Sequence, residues 1–424
     1  MTKMLVYSHD TYGLGNIRRM LAICTHMADV SPDLSILLVT GSPLIHGFRL
    51  PPRLDYIKLP CLTRIDRESY RTKHLGIDLD VTLQLRSGLI LNAVDAFRPD
   101  LVMVDKKPLG IKSELKAALA HLKRNHRHAR TVLVLRDIID SAEATIRTWR
   151  TKGYYDAIYR FYDRVAVLGC PEVFDFRREY HLPESLVQRT HFCGYVRREP
   201  GRRDPAEIRK ELNLRDGGPF VLVTAGGGED SSRLMETYLA AVPCLDRLVP
   251  GLTSLLIHGP ELPETGKRKL RELTRARPNV VLRDFTDDPM SYMAAADVVV
   301  SMGGYNTVCE ILTLGKPAIV VPRVRPVEEQ WIRAQRMEKL GLFRAIHPDV
   351  LTPEVLAHGV ASELASPRAA AAMPWVDLNA LERIAEILSG LRADGLRAAG
   401  TAARPAARFR NPGVRNGRAT AGVR

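Results

Sequence analysis

Two kinds of hydrophobic pattern alternate along the chain: short runs of Val, Leu and Ile with no polar alternation, and longer stretches whose apolar residues recur every three to four positions. The first fits strands buried on both faces and the second fits amphipathic helices, so the alternation predicts parallel βαβ units. One series places strands near residues 4–8, 35–40, 55–58, 101–104, 131–136 and 164–168; a second begins at Phe220-Val221-Leu222-Val223-Thr224 and continues near 253–258, 279–282, 297–301 and 318–322. Between them, Arg197-Arg198-Glu199-Pro200-Gly201-Arg202-Arg203-Asp204-Pro205 is polar and turn-rich, a linker that leads into a helix from about Pro205 to Leu214. After Pro374, the stripe Leu378, Leu381, Ile384, Ala385 and Leu388 predicts a last helix ending at Leu391. The expected organisation is a domain over 1–196, a linker over 197–217, a second domain over 218–373, a helix over 374–391, and a tail over 392–424. That tail has too few large apolar residues to offset its ordering entropy, and disorder is expected there.

Length and charge refine this picture. A chain of 424 residues, 45% of them hydrophobic, is long enough for two domains with a core each. Lys and Arg number 62 against 48 Asp and Glu, a net charge of +14, and the tail alone carries eight Arg against Asp394. Half the excess therefore lies outside the expected fold. Six scattered cysteines without Cys-x-x-Cys spacing argue against a disulfide framework or a structural zinc site and for a reducing cytoplasm. Met4-Leu5-Val6-Tyr7 is too short an apolar run for a signal peptide, and no run approaches the roughly 18 residues of a spanning helix. The reading is a cytoplasmic protein, at most peripheral on the inner face of the cell membrane. The Arg-rich tail and the run His121-Leu122-Lys123-Arg124-Asn125-His126-Arg127-His128 raise nucleic-acid binding, but apart from Phe409 the tail lacks aromatics on which bases would stack. The same charge suits an anionic lipid surface, at about 1 kcal/mol per basic residue.

Open parallel sheets bind ligands where strands end and helices begin, because helix N-terminal amides attract anions. Three such junctions carry unusual residues. The first is Ser8-His9-Asp10-Thr11-Tyr12-Gly13-Leu14-Gly15-Asn16-Ile17-Arg18-Arg19, where Arg18 stands at the third glycine of a dinucleotide fingerprint and Thr40-Gly41 stand where its acid belongs, so NAD is not expected. The second, Thr224-Ala225-Gly226-Gly227-Gly228-Glu229-Asp230, lets the backbone approach a diphosphate with its amides turned inward. The third runs Ser301-Met302-Gly303-Gly304-Tyr305-Asn306-Thr307-Val308-Cys309-Glu310 and closes at Gly315-Lys316-Pro317, a strand, Gly-Gly turn and capped helix. Glu310, about a turn into that helix, offers two acceptor oxygens that match the vicinal hydroxyls of a ribose.

This third stretch, from Ser301 through Glu329-Gln330 to Ala334 and upstream through Val281-Leu282-Arg283-Asp284-Phe285-Thr286-Asp287-Asp288-Pro289-Met290, resembles the C-terminal domain of the MurG-type glycosyltransferases, glycosyltransferase family 28. The loop Gly13-Leu14-Gly15-Asn16-Ile17-Arg18-Arg19 is similar to the Gly-Leu-Gly-His-Leu-Arg-Arg loop of a bacterial group of predicted glycosyltransferases, with Asn16 in place of His. The resemblance implies an α/β protein of the GT-B fold, two Rossmann-like domains facing across a cleft, with the last helix crossing back to the first. It further implies that Glu310 holds the donor ribose, that the Phe285-Thr286 backbone contacts the base, that Asn306 and Thr307 belong to the donor site, and that Glu329-Gln330 stand where a Gln pair reads the donor sugar.

Glycosyl transfer needs a held diphosphate, an oriented sugar and a base for the acceptor hydroxyl. The amides of Gly226, Gly227, Gly228, Gly303 and Gly304, aided by Arg18 or Arg19, would take the leaving group without a metal or cofactor. Asp78-Leu79-Asp80 has the form metal-dependent transferases use, but lacks their strand context and reads as a surface loop. Since Asn16 cannot accept a proton at neutral pH, His9 and Asp10 are the candidate bases, with Gly13, Gly15, Asp105, Arg136 and Asp137 on the acceptor side. The expected activity is inverting transfer of a hexose or N-acetylhexosamine from a UDP-sugar to a small-molecule, polysaccharide or lipid-linked acceptor. Water in place of the acceptor would give a nucleotide-sugar hydrolase, and an epimerase would use the same fold.

Overall fold

The apolar runs become the central strands of two parallel sheets. The computed structural model describes residues 1–10, 15–65, 69–215, 217–227, 231–365 and 376–402, with side chains to residue 395. In chain order the first domain comprises β1 (Thr2–Ser8), α1 (Gly15–Val30), β2 (Leu34–Thr40), β3 (Leu54–Lys58), an antiparallel hairpin of β4 (Leu62–Arg64) and β5 (Tyr70–Thr72), α2 (Leu79–Phe97), β6 (Leu101–Asp105) and α3 (Lys116–Asn125). It continues through β7 (Arg130–Arg136), α4 (Ala142–Thr151), α5 (Tyr154–Phe161), β8 (Arg164–Leu168), α6 (Phe176–Glu179), α7 (Glu184–Val187) and β9 (Thr190–Phe192). Its seven-stranded sheet has the order β3-β2-β1-β6-β7-β8-β9.

The linker ends in α8 (Pro205–Glu211), which starts where Asp204 and Glu207 form a reciprocal capping box and Pro205 takes the first helical position. The second domain follows with β10 (Phe220–Thr224), α9 (Ser232–Leu248), β11 (Thr253–Ile257), α10 (Glu264–Thr274), β12 (Val280–Arg283), α11 (Pro289–Ala295) and β13 (Val298–Ser301). Then come α12 (Tyr305–Leu314), β14 (Ala318–Val320), α13 (Glu329–Lys339), β15 (Arg344–Ala345) and α14 (Pro353–Ala365), in a six-stranded sheet ordered β12-β11-β10-β13-β14-β15. Strands β9, β15 and the hairpin escape a pattern reading because two or three residues show no periodicity.

Both sheets grow outward from an inner strand. In the first, β1 pairs with β2 on one side and β6 on the other; in the second, β10 pairs with β11 and β13. At such a reversal the flanking connections leave toward opposite faces and a crevice opens at the carboxyl ends of the strands.

The last helix, α15 (Ala380–Ala402), packs on α1, β7 and β8 of the first domain. Its lead-in is pinned by Tyr195 N–H donating to the Asp377 carbonyl (2.7 Å), and Ala380, Ile384, Leu388 and Leu391 are buried in the core that holds Met4, Ile17 and Met20. The helix runs eleven residues past the expected end at Leu391, so disorder from residue 392 is corrected: Ala393, Leu396, Arg397, Ala398 and Ala399 are good helix formers. Arg392 is tied to Asp33 at 2.8 Å, and Gly395 lies so close to the His128 carbonyl that a Cβ would stand 2.9 Å from its oxygen. Residues 403–424 of the expected tail lie outside the described residues. Because Leu388 is wholly buried in the first domain's core, Leu388→Ala should lower stability by about 2–5 kcal/mol in urea denaturation, whereas a helix lying loosely on the surface would leave the midpoint unchanged.

Candidate functional site

The two crevices face one another and enclose a cavity of about 670 Å³. The second domain contributes the Gly226-Gly227 turn after β10, Phe285-Thr286 after β12, Gly304 to Thr307 and Glu310 at the start of α12, and Glu329-Gln330 opening α13. The first contributes Gly15, Asn16, Arg18 and Arg19 at the start of α1, Lys106 beyond β6, Arg136 ending β7, Arg49 from the loop before β3, and Arg64 ending β4. Two of the expected site residues, Gly13 and Gly228, lie outside the described residues.

Tight backbone turns shape the second-domain wall. Gly303 has φ of +64° and its amide donates to Ser301 Oγ at 3.2 Å; a Cβ there would stand 2.4 Å from Val320 Cγ1, so no other residue fits. Gly259, at φ +90°, supports the other turn from below, where a Cβ would fall 2.3 Å from the Gly226 carbonyl oxygen. Sequence reasoning missed Gly259; its only signal is the Gly-Pro pair closing β11.

Glu310 is almost fully buried, and its Oε1 accepts from Arg18 Nη2 of the first domain at 2.7 Å. Asn306 donates to the Gly15 carbonyl at 3.0 Å and accepts from Arg198 of the linker; Thr307 lines the cavity beside it. Phe285 stands half-exposed at the rim, Thr286 Oγ1 accepts from the Asp288 amide at 3.0 Å, and Gln330 Oε1 accepts from the Arg323 amide at 2.9 Å.

The first-domain residues converge differently from expectation. His9 and Asp10 are buried behind the wall, and neither lines the cavity. Burial pushes the Asp10 carboxyl up to about 6 despite a hydrogen bond from Thr40, while burial and the charges of Lys106 and Lys107 hold the His9 ring well below its ordinary range. Asn16 donates to the His9 carbonyl and accepts from Arg19 Nη2 at 3.1 Å, and the same Arg19 nitrogen donates to Asp105 Oδ1 at 2.6 Å. Asp105 Oδ2 in turn accepts the His9 amide at 3.3 Å. Arg19 is thus held within this network with its guanidinium over the Tyr305 ring at 5.7 Å, while Arg18 pairs with the Glu310 carboxylate.

Lys106 was not anticipated. It follows β6 with φ of +71° and lines the cavity, where burial, then Arg136 and Arg64, pull its ammonium down to about 7. The signal was a Lys pair directly after Asp105 at a strand end.

Arg136 and Asp137, expected on the acceptor side, also join the two domains. Arg136 Nη1 meets Glu329 Oε1 at 2.7 Å, and Asp137 pairs with Arg333 at 2.9 Å, both partners wholly buried. Asp137 also accepts from Tyr195 Oη at 2.8 Å, and the Glu328 amide donates to Asp140 at 3.0 Å. Burial opposes the charge on Glu329, but Arg136, Arg333, Lys106 and Arg323 outweigh it and hold the carboxyl below its usual range. A carboxylate at this position, where the resemblance implies a glutamine, therefore answers an arginine that the facing domain presents. Asp78 and Asp80 are exposed at the start of α2 and do not line the cavity.

This is the architecture of the GT-B enzymes: two parallel α/β domains with a cleft between opposed switch points. Among solved structures, Acinetobacter baumannii MurG superposes with a TM-score of 0.59 at 13% identity, covering 92% of this chain and all of that one. A UDP-GlcNAc 2-epimerase from Neisseria meningitidis, bound to UDP-GlcNAc, superposes at 0.60 with 13% identity and the same coverage. Residues 220–387 match the glycosyltransferase family 28 C-terminal domain. A Mycobacterium tuberculosis UDP-N-acetylglucosamine--N-acetylmuramyl-(pentapeptide) pyrophosphoryl-undecaprenol N-acetylglucosamine transferase is 31% identical over 196 residues, 45% of this chain and 46% of that relative. The chain thus matches about half the length of that curated relative. Among the described residues, no helix is long and apolar enough to cross a membrane.

Removing Asp137 would strand the buried Arg333 guanidinium. Asp137→Ala should destabilise the protein by about 3–5 kcal/mol, read as a lower urea midpoint; an unchanged midpoint would show that the pair contributes nothing to domain closure.

Proposed function

We propose that the protein transfers a hexose or N-acetylhexosamine from a UDP-sugar to an acceptor hydroxyl, with inversion and with no metal ion in the reaction. The observation that carries this reading is the placement of Glu310 in the cavity that Gly226, Gly227 and Gly304 also line, within the segment that matches the family 28 domain. The amides of those turns and the positive end of α12 suit a diphosphate, and the ribose hydroxyls would donate to Glu310. Arg18 sits about one-third exposed against Glu310 and would pass to the departing phosphate as the ribose takes its place. A wall carrying Arg49, Arg64 and Lys106 suits an acceptor that is itself anionic, and the M. tuberculosis relative's name specifies a pyrophosphoryl-undecaprenol acceptor. By that analogy the acceptor is a lipid-linked diphosphate and the enzyme works at the inner membrane face.

The proton of the acceptor hydroxyl falls to Lys106. It lines the cavity, whereas His9 and Asp10 do not, and an amine brought down to about 7 is partly neutral at working pH. Asp10 and His9 then serve as supports at the end of β1, with Asn16 of α1 fastening the His9 carbonyl.

Titration calorimetry with UDP should show Glu310→Ala weakening affinity at least tenfold, about 1.4 kcal/mol. Unchanged affinity would remove the proposed ribose contact. Incubation with UDP-sugar alone separates transfer from the hydrolase and epimerase alternatives, since free sugar or an epimerised donor formed at the turnover rate would overturn the transferase reading. A lysine base acts when deprotonated, so kcat/KM should rise as pH climbs through about 7 and then level off. Lys106→Met should erase that rise and lower kcat by roughly 10²–10⁴. A rate that instead falls through the same range would mean that Lys106 acts as a cation toward phosphate.

A further inference from the structure

On the far side of the first sheet from the cleft, where α2 and α3 end and the chain turns into the starts of β6 and β7, three side chains converge. Asp95 lies in the last turn of α2, His121 in α3, and His126 caps α3 at its C-terminal end. His121 Nε2 is 2.9 Å from Asp95 Oδ1, the His121 and His126 ring centroids are 5.5 Å apart, and one ligand atom from each residue lies within 4.8 Å of the others. His126 is nine-tenths buried, yet its Nε2 has no hydrogen-bond partner among the described residues. A buried polar atom left unsatisfied needs a reason, and an incoming ligand is one. Of the basic residues in this segment, Lys123 turns to Asp163 at 3.3 Å, while Arg98 at the end of α2 stands close enough to act on His126. The segment is therefore not a uniform cationic face.

We propose that Asp95, His121 and His126 bind a zinc-class divalent cation that clamps the end of α2 to the end of α3. Two imidazoles and a carboxylate favour zinc and its neighbours over magnesium or calcium, which take oxygen ligands. Tetrahedral bonds of about 2.0–2.2 Å place ligand atoms about 3.3 Å apart, and the separations here bracket that value with small side-chain adjustment. With its side-chain amide flipped, Asn125 one turn on, 2.9 Å from His121 Nδ1, would accept that ring N–H when Nε2 binds the metal. His128, whose ring centroid is 6.2 Å from that of His126, is the nearest further imidazole, and water can complete the shell. The site borders the docking of α15, where Gly395 meets the His128 carbonyl. Its role is to hold the outer edge of the first domain, far from the donor.

The test is calorimetric titration of chelator-treated full-length protein with Zn²⁺, paired with the absorption spectrum of the Co²⁺ form. One saturable equivalent, a tetrahedral Co²⁺ band and a raised thermal midpoint are expected, with at least a 100-fold loss of affinity in His121→Ala and His126→Ala. Should the buried His126→Ala fail to fold, the partly exposed His121→Ala decides the matter, its integrity checked by circular dichroism and unchanged UDP affinity. Zinc affinity that survives His121→Ala, or no saturation below 100 µM, overturns the site. Neither result depends on glycosyl transfer, so failure here is separable from failure of the proposed function.

Discussion

The relation between the two domains depends on an ion pair that never meets water. Arg333 comes from α13 of the second domain and Asp137 from the end of β7 in the first, and both are wholly buried. Taking two charges out of solvent is costly, and the attraction repays it best when the remaining polar atoms are also served; here Tyr195 supplies a further donor to the carboxylate, whereas Arg333 Nη1 has no hydrogen-bond partner among the described residues and the guanidinium lies over the Tyr305 ring. The pair works less as a source of stability than as a register mark: any other apposition of the domains strands a charge. Around it, Arg136 with Glu329 and Arg18 with Glu310 repeat the arrangement closer to the cavity and in progressively more solvent.

That gradient separates holding from working. The deepest pair has no exposed surface, while Arg18 is about one-third exposed and can change partners at small cost. A donor needs Glu310, and Glu310 is the carboxylate whose present partner is easiest to displace. The glycine turns beside it are rigid for a steric reason, since a side chain at Gly303 or Gly259 would collide with Val320 or the Gly226 carbonyl. Fixed backbone donors and one exchangeable cation are what a charged leaving group requires, because preorganised dipoles need no rearrangement as charge develops.

How much of this was legible in the sequence follows from what local pattern encodes. The long strands were readable because a strand covered on both faces must be apolar throughout, and the glycine turns because they interrupt such runs. Glu310 was readable because a carboxylate beside a Gly-Gly turn is chemically conspicuous. Lys106, Gly259 and Arg198 were not, because each matters through a neighbour more than thirty positions away. Arg136 and Asp137 were placed at the correct edge of the sheet, but their ion pairs with Glu329 and Arg333 were not legible, since strand-end position says nothing of what the opposite domain presents. His121 and His126 looked like part of a basic run because Asp95, the residue that turns them into a cluster, belongs to another helix. The continuation of α15 past Leu391 was hidden for a similar reason: its anchors, Asp33 and the His128 carbonyl, lie in the first domain.

The course of α15 also bears on how the protein is made. The first domain's core is lined by Met4 and Ile17 at one end of the chain and by Ile384 and Leu388 at the other. A ribosome therefore exposes the apolar groove under α15 long before it delivers the helix that fills it. The second domain is complete in sequence before the first can close. Folding in order of synthesis, the usual course for two-domain chains, is thereby inverted at its last step. The interval in which that groove stands open is set by the length of the second domain.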